Sequence, residues 1–107
     1  MEIIVEVKAK RSGFQELYQT LQALISTIRK KEGLQKVNFI RDSKDADNFI
    51  LSFEWEDQKN LKHYLRSNDG QALLGAIEVL SEQTKVKLGN HEPTDGLESL
   101  KKIRDEI

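Results

Sequence analysis

The sequence predicts an α+β fold whose elements follow in the order β-α-β-β-α-β, with a short helical tail. Three observations carry this. Residues 2–10, 34–42 and 48–56 alternate apolar and polar side chains with a period of two. Residues 12–31 and 71–81 repeat apolar side chains at three- and four-residue steps. The segments between them are short and polar. A period of two sends successive side chains to opposite faces of a strand, and a period near 3.6 draws one stripe along a helix. An element order of this kind is the ferredoxin-like, or split βαβ, arrangement: one antiparallel sheet with its helices on a single face.

In the first strand, Ile3, Val5, Val7 and Ala9 point one way, and Glu2, Ile4, Glu6, Lys8 and Lys10 the other. Ser12 then opens a helix, with Gln15 three residues on completing a capping box. Phe14, Leu17, Tyr18, Leu21, Leu24, Ile25 and Ile28 form its apolar stripe. Arg29, Lys30 and Lys31 suit the negative end of the helix dipole, and Gly33 suits the left-handed residue that ends a helix. The second strand, 34–42, turns through polar residues into the third, 48–56, where Phe49, Leu51, Phe53 and Trp55 share a face. Asp57 caps a short helix over 58–66. Ser67, Asn68, Asp69 and Gly70 read as a break, and the helix over 71–81 follows with Leu73, Ile77 and Leu80. Residues 84–88 are the last strand. The chain then divides: a domain over 1–89, and a linker and amphipathic helix over 90–107. That helix carries Leu97, Leu100, Ile103 and Ile107. Isolated helices below ~12–15 residues are marginal, so docking on the domain or on a partner is expected.

The outer face of the sheet holds Ile4, Glu6, Asn38, Ile40, Ile50, Ser52 and Glu54. It is too apolar for plain solvent surface and too polar for an ordinary core. A second sheet packed on it explains the mixture, which predicts a homodimer. In such an interface Glu6 and Glu54 would meet a partner's Lys or Arg.

At 107 residues the chain is one domain, and its net charge of −1 disfavours a nucleic-acid or anionic-membrane partner. No cysteine is present, so disulfides, thiolate nucleophiles and Cys-ligated metals are excluded; a reducing, cytoplasmic setting fits. No apolar run approaches the ~20 residues of a membrane span. The two histidines, His63 and His91, make no metal-ligand spacing, and no P-loop, GxGxxG or GxSxG occurs. His63 falls on the side of its helix away from Leu61, Tyr64 and Leu65, and reads as solvated. Tyr18, Tyr64 and Trp55 fall on apolar faces. Each either packs in the core or lines a pocket for an aromatic ligand.

The strand ending Glu54-Trp55-Glu56-Asp57, then Leu61, then Leu65-Arg66-Ser67, then the run Leu74 to Leu80, resembles the antibiotic biosynthesis monooxygenase family over roughly residues 1–89. The resemblance implies a dimeric α+β barrel, two ferredoxin-like sheets face to face. In some members it implies oxidation of quinols or anthrones by O₂ without metal or flavin. Their ligand pocket lies between sheet and helices, which makes Tyr18, Trp55 and Tyr64 the pocket candidates and Tyr64, at the position of the family's usual helix histidine, the catalytic one. The haem-degrading branch has Asn, Trp and His where this chain has Glu6, Tyr64 and Leu74, so haem breakdown is not implied. The expectation is therefore a cofactor-free monooxygenase for a small quinol- or anthrone-like aromatic. The alternative is a non-catalytic ligand-binding or dimerisation module. Space beside Tyr64 separates them: a roomy pocket serves an enzyme or binder, a filled one a structural module.

Overall fold

The computed structural model describes residues 1–45 and 47–107. Strand β1 (Glu2–Ala9) leads through a 3-10 turn, Arg11–Gly13, into helix α1 (Phe14–Ile28). Strands β2 (Leu34–Arg41) and β3 (Asn48–Trp55) follow. Helices α2 (Gln58–Arg66) and α3 (Asn68–Leu80) run on into β4 (Ser81–Leu88). A two-residue strand β5 (Thr94–Asp95) and helix α4 (Glu98–Asp105) complete the chain. The strands form one antiparallel sheet in the order β2-β3-β1-β4-β5. This is the α+β, ferredoxin-like arrangement.

The period-two pattern fixes the register. Val5 lies opposite Leu51 on one side and Val86 on the other, and Ile3 opposite Phe53 and Leu88. Burial alternates along β1, so Ile3, Val5, Val7 and Ala9 face the core formed with Leu17, Leu21, Ile25 and Ile28 of α1. On the outer face Ile40 is 56% exposed, and Ile4 and Ile50 are half-buried.

Several boundaries differ from the sequence expectation, each for a local reason. Ser12 caps nothing: the chain turns tightly from β1, Gly13 takes the N-cap position with no side-chain bond, and α1 starts at Phe14. Gly13 lies under Leu80, whose carbonyl accepts from the Lys10 amide at 2.9 Å. Gly33 does take a left-handed φ of 84°, but five residues beyond the end of α1, at the head of β2. There its carbonyl accepts from the Glu56 amide, and the Asn60 side chain crosses the space a Cβ would need.

The break between α2 and α3 is one residue long. Only Ser67 leaves the helical path, and its hydroxyl accepts from the Gly70 amide at 3.1 Å to cap α3. Asn68, Asp69 and Gly70 form the first turn of α3. Gly70 is buried so tightly that a Cβ would lie 2.1 Å from the Tyr64 carbonyl oxygen, so the expected break is a close-packed contact. Strand β4 begins at Ser81 rather than Thr84, because the polar run Ser81–Gln83 hides the alternation. The linker holds β5, and α4 ends before Ile107, which is fully exposed.

Helix α4 lies against α2. Leu97, Leu100 and Ile103 are buried, each contributing about 1.5–3 kcal/mol by area removed from water. Around them runs a polar rim. The Arg66 Nε donates to the Arg104 carbonyl at 2.6 Å and its Nη2 to the Glu106 carbonyl; Lys101 Nζ meets Glu78 Oε1 at 2.8 Å. These groups sit at the surface, where an ion pair stabilises by about 0–1 kcal/mol.

Candidate functional site

Between the inner sheet face and the helices lies an apolar cavity of about 20 Å³. Strands β1 and β3 give it a floor including Val5, Phe53 and Trp55. Helices α2 and α3 wall it with Tyr64 and Leu74, and Leu100 of α4 closes it. A space of that size admits a single water-sized guest, which needs about 10–15 Å³; ligand pockets run to about 300 Å³ or more. The cavity is filled by the protein's own side chains.

Tyr64 is the one residue with a phenol in this wall. The spacing Leu61, Tyr64, Leu65 turns it inward from α2, and its ring lies 5.4 Å from that of Trp55, tilted by 31°. The residue is 4% exposed, and its hydroxyl has no hydrogen-bond partner among the described residues. Leaving a buried hydroxyl unpaired costs about 1–3 kcal/mol. Burial in apolar surroundings, reinforced by the negative charge of Asp69, pushes its ionisation well above the ordinary tyrosine value. Tyr64 is therefore a neutral phenol, able to donate and unsuited to act as a base.

The three pocket candidates do not converge. Trp55 and Tyr64 meet at this cavity. Tyr18 stands in a separate aromatic cluster with Phe14, Phe39 and Phe49, at ring distances of 6.4, 5.8 and 5.7 Å. Phe49 and Trp55 are six residues apart along β3, roughly 20 Å at a strand's rise, so the clusters occupy opposite ends of the inner face. The Tyr18 hydroxyl accepts from Gln22 Nε2 at 2.9 Å. His63 is exposed in an open polar groove with Asp57, Lys59 and Arg66. His91 is also exposed. No group of three or more His, Asp or Glu side chains among the described residues could hold a metal ion.

The outer sheet face carries a hollow of about 230 Å³ lined by Glu6, Lys8, Asn48, Ile50 and Lys85. Glu6 stands opposite Lys85, and Glu54 opposite Lys36, so each carboxylate has a cross-strand cation in register within its own chain. Leu100 was not legible as part of the site. The stripe of α4 announced docking, but nothing local in the sequence said where.

An antiparallel ferredoxin-like sheet with an apolar cavity beneath its helices defines the class. The family model for antibiotic biosynthesis monooxygenase matches residues 1–74, more than two thirds of the chain, and the chain belongs to that family. The match ends at Leu74, inside α3, short of the 1–89 span the motifs suggested; α4 lies outside it. Solved structures of the same fold include a conserved protein from Methanosarcina mazei, 16% identical over 85% of this chain and 91% of that one, with a TM-score of 0.76. An antibiotic biosynthesis monooxygenase is 19% identical, covering 86% of this chain and 98% of that one, with a TM-score of 0.76. A protein of unknown function from Bacteroides thetaiotaomicron is 18% identical, covering 88% and 94%, with a TM-score of 0.74. At these identities the likeness shows the fold. No curated protein matches the chain. Family membership supports a function of the monooxygenase type. No helix among the described residues is long and apolar enough to cross a membrane.

Proposed function

We propose that the protein is a cytoplasmic, homodimeric monooxygenase that oxidises a small electron-rich aromatic, quinol- or anthrone-like, with O₂ and without metal or flavin. The observation that carries this reading is Tyr64: a buried, neutral, unpartnered phenol beside Trp55 in an otherwise apolar wall. A donor waiting in a dry site is strong where negative charge develops on a substrate oxygen. For an anthrone, the ring methylene loses a proton and passes electrons to O₂. A C–O bond then forms, and the resulting hydroperoxide loses water to leave a carbonyl. One oxygen atom ends in product and the other in water. No carboxylate or imidazole lines the cavity, so the substrate must be acidic enough to give its proton to solvent. Tyr64 would hold the oxyanion that remains, and Trp55 would stack on the ring.

The test is oxygen uptake with anthrone and quinol substrates in chelator and without flavin. Turnover should persist, Tyr64→Phe should lower it about tenfold, equivalent to ~1.4 kcal/mol, and His63→Ala should change it little. A dead His63 variant beside an unaffected Tyr64 variant would overturn the assignment.

The filled state of the cavity favours a second reading, a structural dimerisation module without chemistry. Absence of oxygen uptake with every quinol and anthrone tried would decide for it. Both readings share the homodimer, supported by Ile4, Ile40 and Ile50 on the outer face. A stable interface there should bury at least ~1,200 Å². Sedimentation as a monomer at micromolar concentration would refute it.

A further inference from the structure

We propose that α4 is a hinged plug: it occupies the ligand site itself, leaves as a unit by pivoting at Gly96, and admits an aromatic guest to the place Leu100 vacates beside Tyr64. The guest part of this inference rests on the reading of the cavity as a ligand site; the movement of α4 does not.

Four observations carry it. Every lining residue except Leu100 comes from β1, β3, α2 or α3, so sheet and helices build the walls and α4 supplies only the stopper. The wall that Leu100 covers holds a buried hydroxyl, Tyr64 Oη, with no partner among the described residues. A seat that also exists open gains from that hydroxyl, which then meets solvent or a guest.

The polar attachments of α4 are all at the surface: Arg66 to the Arg104 and Glu106 carbonyls, Gln58 to Glu106, Lys101 to Glu78 and Arg104 to Gln71. Each can be exchanged for water at small cost. The joint is also in place. Strand β5 stays pinned to β4 through Val86–Thr94 and Lys85–Asp95; the next residue, Gly96, donates its amide to the Thr84 carbonyl at 2.7 Å, takes a left-handed φ of 77°, and has nothing within 4 Å of where a Cβ would stand. Motion at that one residue moves α4 and leaves the sheet undisturbed. Once away, an eight-residue helix unravels, so chain entropy favours the open state.

The test uses the full chain, with 1-naphthol as the aromatic probe. Because the protein has no cysteine, Glu78→Cys with Lys101→Cys gives a unique pair. A short bis-methanethiosulfonate, which forms a reducible disulfide at each cysteine and releases methanesulfinate, replaces the Lys101–Glu78 contact and holds α4 shut. Amide exchange should be at least tenfold faster over residues 98–105 than in β1 and β3. Naphthol should accelerate it further, because a ligand of the open state enlarges that population. Cross-linking should abolish the acceleration and weaken naphthol binding at least tenfold, and cleaving the linker should restore both. Exchange of α4 at the rate of β1 and β3, or equal naphthol affinity with and without the cross-link, would overturn the plug. If α4 opens ahead of the sheet yet naphthol binds neither form, the hinge stands and the ligand-site reading falls.

Discussion

Arg66 closes the end of α4 onto α2: its Nε donates to the Arg104 carbonyl at 2.6 Å, and its Nη2 reaches the Glu106 carbonyl. The last carbonyls of a helix have no partner within it, and here a cation from another helix satisfies them. The charge and the fork geometry act together, so a neutral side chain cannot substitute. Arg66→Gln should loosen the C-terminal turn at a cost of about 1 kcal/mol, lowering the melting temperature by about 4 °C. A thermal melt identical to that of the unmodified protein would show the clasp to be idle.

Gly70 and Gly75 lie in the same helix and should respond in opposite directions. A Cβ at Gly70 would meet the Tyr64 carbonyl oxygen at 2.1 Å and the Leu65 Cα at 2.8 Å, both backbone atoms that cannot swing aside. Gly70→Ala should destabilise by about 3 kcal/mol and separate α2 from α3. A Cβ at Gly75 would meet nothing within 4 Å, so Gly75→Ala should stabilise by about 0.5–1 kcal/mol through helix propensity. Urea titrations of the two variants compare these directly.

Leu100→Ala should cost about 2–3 kcal/mol and leave a larger hollow against Tyr64 and Trp55. Benzene should then raise the melting temperature of the variant more than that of the unmodified protein, in which α4 must first open. Equal shifts in both would mean that the guest binds elsewhere.

Tyr64 should give the protein an alkaline weakness. Its ionisation is raised in the folded state by burial and then by Asp69. Above pH 10 the unfolded chain therefore loses this proton while the folded one keeps it. The unfolded state binds fewer protons, and stability falls by up to about 1.4 kcal/mol per pH unit from pH 10 upward. Tyr64→Phe should flatten that decline. It should also raise stability at neutral pH by about 1 kcal/mol, since it removes an unpaired hydroxyl. Chemical denaturation at pH 7 and pH 11 tests both, and a loss of stability in the variant at pH 7 would reveal a partner for the hydroxyl.

The fold was legible where one periodicity ran unbroken. The alternation of Ile3, Val5, Val7 and Ala9 and the stripe Leu17, Leu21, Ile25 and Ile28 survive almost residue for residue. It failed where backbone packing overrode local signals. Ser12 had a capping pattern, yet Gly13 against Leu80 set the turn. Asn68, Asp69 and Gly70 looked like a loop, yet Ser67 made them the first turn of a helix. The site was half legible. The inward spacing of Tyr64 and Trp55 follows from local period, but the separation of Tyr18 depends on where α1 crosses the sheet, and the Leu100 contact joins segments more than thirty residues apart.

Helix α3 passes into β4 with no residue between Leu80 and Ser81, and only Ser67 separates α2 from α3. Chain length over this stretch is consequently as constrained as its composition. One inserted residue within α3 would turn every later side chain of the helix by roughly 100°, and one within β4 would exchange its inner and outer faces. Insertions and deletions that preserve this stretch are thus pushed outside it, to connections such as 89–93. Relatives that differ in length should differ there, or beyond Gly96.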